Sequence, residues 1–156
     1  MDDFYTVLIA ELRTDPLGFG YATKTDAEVA EVLNDPTRAE TADHTFYTMR
    51  ALIERFVASG INPADVIPRL DAVAAQNPVV AEGLRALRAY GDGGGLDFAS
   101  PATVAMIQQL QQANVLSQSE ANAVLSLGRR TCSRVEALGL GMVNEHHVRS
   151  ARQMME

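Results

Sequence analysis

The sequence predicts an all-α protein, a compact multi-helix bundle with a helix-turn-helix-like C-terminal part. Three observations carry that expectation. Apolar residues recur at three- and four-residue spacing, the pattern of helices with one buried face. Helix punctuation is dense, with Ser, Thr or Asn followed at once by Pro or three residues later by Glu. No strand-like alternation runs longer than a few residues. At 156 residues the chain buries roughly two-thirds of its unfolded surface, so it needs no disulfide or metal to fold.

The first helix is capped by Asp2 or Asp3 and runs to about Arg13, with Phe4, Val7, Leu8 and Leu12 on one stripe. Thr14-Asp15-Pro16 ends it, because a residue before proline is pushed out of the helical region. The loop from Asp15 to Tyr21 sets two glycines beside two aromatics, which predicts a tight, ordered turn. Thr25 and Glu28 form a capping box for a second helix carrying Val29, Val32 and Leu33, stopped by Asn34-Asp35-Pro36. A third helix is expected from about Ala42 to Ser59, with Phe46, Met49, Ile53, Phe56 and Val57 facing the core. Gly60 and the apolar Ile61 close it.

Asn62-Pro63 and Asn77-Pro78 each read as a cap followed by a first-turn proline. Pro68, between them, is expected to split or kink its helix. The segment from Pro78 to Tyr90 offers Val79, Val80, Leu84 and Leu87 to a core. Gly91-Asp92-Gly93-Gly94-Gly95 is the predicted flexible boundary. It divides an N-terminal helical part (1–90) from a C-terminal one (100–156) through a connection at 91–99, within one domain overall. After it, helices begin at Ser100-Pro101 (Val104, Ile107, Leu110), at Ser117 with Glu120 and at Ser133 with Glu136. A last one begins at Asn144 and carries Val148, Ala151 and Met155.

Charge is uneven. The net charge is −7. From Arg129 onward, five arginines (Arg129, Arg130, Arg134, Arg149, Arg152) face three acids (Glu136, Glu145, Glu156), so the tail is +2 and the preceding body −9. An acidic body repels nucleic acid at long range. The basic tail suits a solvated helix face or a contact with an acidic neighbour. Met1-Asp2-Asp3 lacks the basic and apolar regions of a signal peptide, and no run approaches the roughly twenty apolar residues of a membrane helix. A cytosolic origin without membrane contact is expected.

No residue set points to catalysis, a cofactor or a metal. Cys132 lies beside Arg129, Arg130 and Arg134, where positive charge favours a thiolate, but it reads as a structural residue. His146 and His147 are adjacent, so on a helix they point about 100° apart and share no face. The carboxylate pairs fit helix first turns. The glycine run has no following lysine and no preceding strand, so it is not a phosphate loop. From Ser119 to Arg152 the order helix, turn, short helix, Gly-Leu-Gly turn, helix has the layout of a helix-turn-helix unit. A DNA-binding version would put His146, His147, Arg149 and Arg152 in a groove. The acidic total and the acids within the tail favour a plain packing unit, so DNA is not the expected partner.

The C-terminal residues also carry a pattern. Ser133-Arg134-Val135-Glu136-Ala137-Leu138-Gly139-Leu140-Gly141, then Val143, then His147-Val148-Arg149-Ser150-Ala151-Arg152, resembles a signature in a family of small tailed-bacteriophage proteins. At the other end, Leu12, Asp15-Pro16-Leu17-Gly18, Gly20-Tyr21-Ala22, Thr25 to Ala30 and Leu33-Asn34 resemble that family's opening. The stretch from Val115 to Leu127 is similar as well. Phe19 stands where the family usually has a basic residue, and the middle, from Thr41 to Gly95, differs.

The resemblance implies a virion structural or morphogenesis protein, assembled in the host bacterial cytoplasm and without enzymatic activity. Small size and helical composition point to a head–tail neck adaptor on the portal. A capsid decoration or tail-tip protein is the structural alternative, and a DNA-binding regulator the alternative of another class. The expected partners are other virion proteins, portal or capsid, and further copies of the chain in a ring. The candidate interface residues are Leu17, Phe19 and Tyr21 in the loop, and Arg129, Arg130, Arg134, His147, Arg149 and Arg152 in the tail.

Overall fold

The structure, a computed structural model, describes residues 3–91 and 93–156. Asp2, one of the two expected first caps, and Asp92 of the glycine run lie outside the described residues. The described chain is mostly helical, as the periodicity predicts, with four short strands. Its contacts define two units. Unit 1 combines the two ends of the chain, Met1–Thr41 and Thr131–Glu156, and unit 2 is the continuous stretch Ala42–Arg130.

In unit 1, α1 (Asp3–Thr14) and α2 (Asp26–Asn34) come from one end of the chain, α8 (Arg134–Ala137) and α9 (Glu145–Met155) from the other. Helix α9 packs on α1 and α2, and α8 packs on α2. Leu8, Leu12, Val29, Leu33, Val135, Val143 and Val148 make the core. Each such side chain contributes about 1.5–3 kcal/mol when fully buried. The caps are those expected: Thr25 and Glu28 form a complete box, Ser133 accepts from Glu136 N–H, and Asn144 accepts from His147 N–H.

The end of α1 differs from expectation in one respect. Asp15 is not extended but left-handed, with φ of 41°. Its carboxylate offsets that strain by accepting the N–H groups of Phe19 at 2.8 Å and Gly20 at 2.7 Å. Gly18 and Gly20 take the two further left-handed positions, which lack of a Cβ permits. The loop is therefore pinned from its own first residue.

Unit 2 stacks five helices in sequence: α3 (Met49–Ala58), α4 (Pro63–Ala74), α5 (Pro78–Arg88), α6 (Pro101–Gln112) and α7 (Gln118–Ser126). Leu52, Phe56, Val66, Leu70, Val80, Leu84, Leu87, Phe98, Ile107 and Leu110 are among the buried residues of its core. Asn62, Asn77, Ser100 and Ser117 cap as expected.

Three expectations about unit 2 helices are corrected here. The third helix begins at Met49, not near Ala42. The Asp43 carboxylate accepts from Thr45 N–H, Thr45 Oγ1 and Tyr47 Oη, which holds a turn where a helix was expected. Pro68 does not split α4: Pro68 and Ala64 are both exposed, so water can take the hydrogen bond that the Ala64 carbonyl forgoes. Phe46, Ile53, Val57 and Val79, assigned to the core, are exposed.

The glycine run is not where the units divide; it lies inside unit 2. Strand β2 (Phe46–Tyr47) pairs antiparallel with β3 (Leu96–Asp97), directly after the glycines. Gly95 N–H donates to the Ala86 carbonyl at 2.7 Å, and a side chain at Gly94 would collide with the Ala89 carbonyl. Gly94 and Gly95 are there because the chain crosses its own backbone, whereas a side chain at Gly91 or Gly93 would meet nothing.

The chain passes between the units through β1 (Ala39–Ala42) and β4 (Arg129–Cys132), which pair with each other. Strand β4 separates α7 from α8, and α7 belongs to unit 2. The three-helix grouping expected from Ser119 to Arg152 is thus distributed over both units.

Candidate docking surfaces

The expected interface residues fall into two groups, those the fold consumes and those it leaves outside. Arg134 belongs to the first. Its guanidinium grips Glu11 with two parallel bonds, Nε to Oε1 at 2.8 Å and Nη2 to Oε2 at 2.7 Å. Glu11 is 3% exposed and sits on the buried face of α1. Tyr21, expected at the surface, is buried, and its hydroxyl donates to the same Oε1 at 2.9 Å. Burial, then the bond to Glu11, holds the Tyr21 phenol well above its ordinary range, while Glu11 pushes the Arg134 guanidinium higher still. The three side chains form one closed polar cluster with its charge balanced.

Arg152 is consumed in the same way. Its guanidinium donates to Asp26 Oδ1 at 2.7 Å and to the carbonyls of Tyr21 at 2.6 Å and Lys24 at 2.9 Å. It thereby ties α9 to the short 3-10 turn ahead of α2. Arg149, half-exposed, pairs with Glu145 and approaches Asp26 at 3.5 Å. His147 completes the cap of α9, its Nδ1 accepting from Asn144 N–H at 3.3 Å, and its ring meets Phe4 edge-on at 5.0 Å. A further link escapes sequence reasoning. Asn34 donates to the Val143 carbonyl at 2.5 Å and accepts from Val143 N–H at 3.2 Å, imitating a strand pair. Asn34 read only as a helix stop, and no spacing rule connects it to a position more than a hundred residues on.

Phe19 is partly buried against the unit 1 core, edge-on to Tyr21 at 5.8 Å. Of the three loop residues expected at an interface, Leu17 is the one left outside, half-exposed at the tip beside the exposed Pro16. Arg129 and Arg130 are exposed on β4. In unit 2 the exposed large apolar side chains are Phe46, Ile53, Val57, Val79 and Tyr90.

The chemistry-bearing residues are dispersed. Cys132 is buried at the end of β4. His44 pairs with Asp97 at 2.9 Å in unit 2, and that bond is the main cause holding the Asp97 carboxyl below its usual value. Among the described residues, no three His, Cys, Asp or Glu side chains gather to hold a metal ion, and no buried side-chain nitrogen or oxygen lacks a partner. Among those residues, too, no helix is long and apolar enough to cross a membrane. Comparison with known protein families, with curated proteins and with solved structures returned no match.

Proposed function

We propose that this chain is a structural component of a tailed-phage virion, a neck adaptor between head and tail, acting by docking rather than catalysis. One observation carries the reading. The residues that resemble the phage family's opening and its C-terminal signature lie at opposite ends of the chain, yet they fold together as unit 1. Within it, residues of the two patterns bond directly, Tyr21 and Asp26 to Arg152. Asn34 of the opening holds Val143 of the signature. Two distant patterns that meet in one folded unit support a likeness of folds over chance matches; the third similar stretch, Val115 to Leu127, lies in unit 2. The stretch that departs from the family, from Thr41 to Gly95, falls in unit 2 but for its first residue.

The Asp15-pinned loop gives unit 1 a preformed anchor. Its backbone is fixed before any partner arrives, so little order is lost when Leu17 is buried. The DNA-binding alternative draws less support, because Arg134, Arg149 and Arg152 already answer carboxylates within unit 1.

The test is to purify particles of the encoding phage carrying either the natural chain or Leu17→Asp. The natural chain is expected in the particles at fixed copy number, and L17D is expected to be folded but absent from them. A chain missing from particles that instead shifts duplex DNA in a salt-dependent way would support the regulator.

A further inference from the structure

Unit 2 leaves two apolar surfaces uncovered, a ridge and a groove. The first is a ridge on α3. Leu52 and Phe56 enter the core, while Ile53 and Val57, one turn apart, stand on the adjoining strip of the helix. The apolar arc of α3 is therefore wider than the core covers, and Val57 is 63% exposed. Arg50 and Glu54 border the ridge, bonded to each other at 3.0 Å in full view of solvent.

The second surface is a groove of about 390 Å³ between α5 and α6, lined by Pro78, Val79, Ala86, Leu96, Ala102 and Met106. Gly83 also lines it, and its missing side chain leaves room for Met106. Val79 at its edge is 64% exposed. Glu82 also lines the groove, and its carboxylate pairs with Arg85 at 2.5 Å. On the α6 side, no ionisable residue occurs from Ala99 to Ser119, so closing that side buries no charge.

We propose that ridge and groove are the two halves of one head-to-tail contact between copies of this chain. Ile53 and Val57 of one copy seat in the α5–α6 groove of the next, with Arg50 facing Glu82 and Glu54 facing Arg85. The balance of charge favours a second copy as the occupant. Unit 2 holds seven basic and eight acidic residues, a net −1, whereas unit 1 holds six and twelve, a net −6. Copies of a chain of net charge −7 repel one another as wholes, and a contact through the near-neutral unit 2 is the one this repulsion opposes least. A ridge and a groove on different elements give a heterologous contact, which repeats into a ring or filament instead of closing a two-fold pair. Two anchoring side chains cover less than the roughly 800 Å² per partner of a stable interface, so association is weak and depends on concentration. The contact needs nothing from unit 1 and stands apart from the virion reading.

Sedimentation of the full chain over a concentration series tests it. The natural chain is expected to grow in mass with concentration, and Val57→Asp and Val79→Asp each to stay monomeric with unchanged helical circular dichroism. An equimolar mixture of the two variants is expected to stop at a dimer, since V57D keeps its groove and V79D keeps its ridge. A natural chain that stays monomeric throughout would overturn the proposal. So would folded variants that associate normally, or a mixture that remains monomeric.

Discussion

The two units solve the same packing problem with different chemistry. Unit 2 is continuous in sequence, its helices follow one another through short turns except between α5 and α6, where the glycines and β3 intervene, and its core is apolar. Its ion pairs, Arg69 with Glu120 and Arg88 with Asp71, join helices at the rim. Unit 1 must bring together segments separated by the whole of unit 2, and it does so with directional polar bonds. Glu11 with Arg134, Asn34 with Val143 and Asp26 with Arg152 each cross from one end of the chain to the other. Apolar surfaces tolerate a slipped register, whereas a bidentate ion pair does not. Each unit is therefore brittle at a different kind of contact.

Removing apolar volume should hurt unit 2 most. Phe56→Ala empties a fully buried site and is expected to cost about 3–5 kcal/mol in chemical denaturation. Glu11→Ala is expected to cost about 3 kcal/mol, by leaving Arg134 and the Tyr21 hydroxyl without their partner. The two losses part company on repair. Glu11→Met combined with Arg134→Leu should recover most of the stability, since neither charge then remains buried. A double variant as unstable as the single one would refute the distinction.

Arg152→Ala comes next, at about 1.5–3 kcal/mol, the range for charge-assisted bonds. It should loosen the junction of α9 with the 3-10 turn, read as faster proteolysis near Tyr21. The smallest effect belongs to acid. In unit 2, bonds from Thr45 and then Tyr47 hold the Asp43 carboxyl at about 2, below its ordinary 3.8. A depressed carboxyl stabilises the fold above the ordinary value, and that contribution is lost as pH falls through about 2. The urea midpoint should drop over that window, and Asp43→Asn should flatten the drop.

Local features were legible in the sequence, and distant ones were not. Thr25 with Glu28, Asn62-Pro63 and Ser117 with Glu120 speak within one helical turn, so reading them along the chain suffices. The glycine run misled because composition records backbone freedom but not the reason for it. At Gly94 the reason is the nearness of the Ala89 carbonyl. Tyr21 and Arg134 looked like surface groups because a polar side chain reads as exposed until its buried partner is known, and no spacing rule joins Glu11 to Tyr21 ten residues on or to Arg134 far beyond it. Ile53 and Val57 have core spacing, yet they stay 38% and 63% exposed.

That the two chain ends form one unit is best tested by amide hydrogen exchange on the natural chain and on Glu11→Ala. If they do, the variant loses protection in α1, α2 and α9 together, while α4 to α7 exchange as before. Loss confined to α1, or an equal loss across α4 to α7, would contradict it.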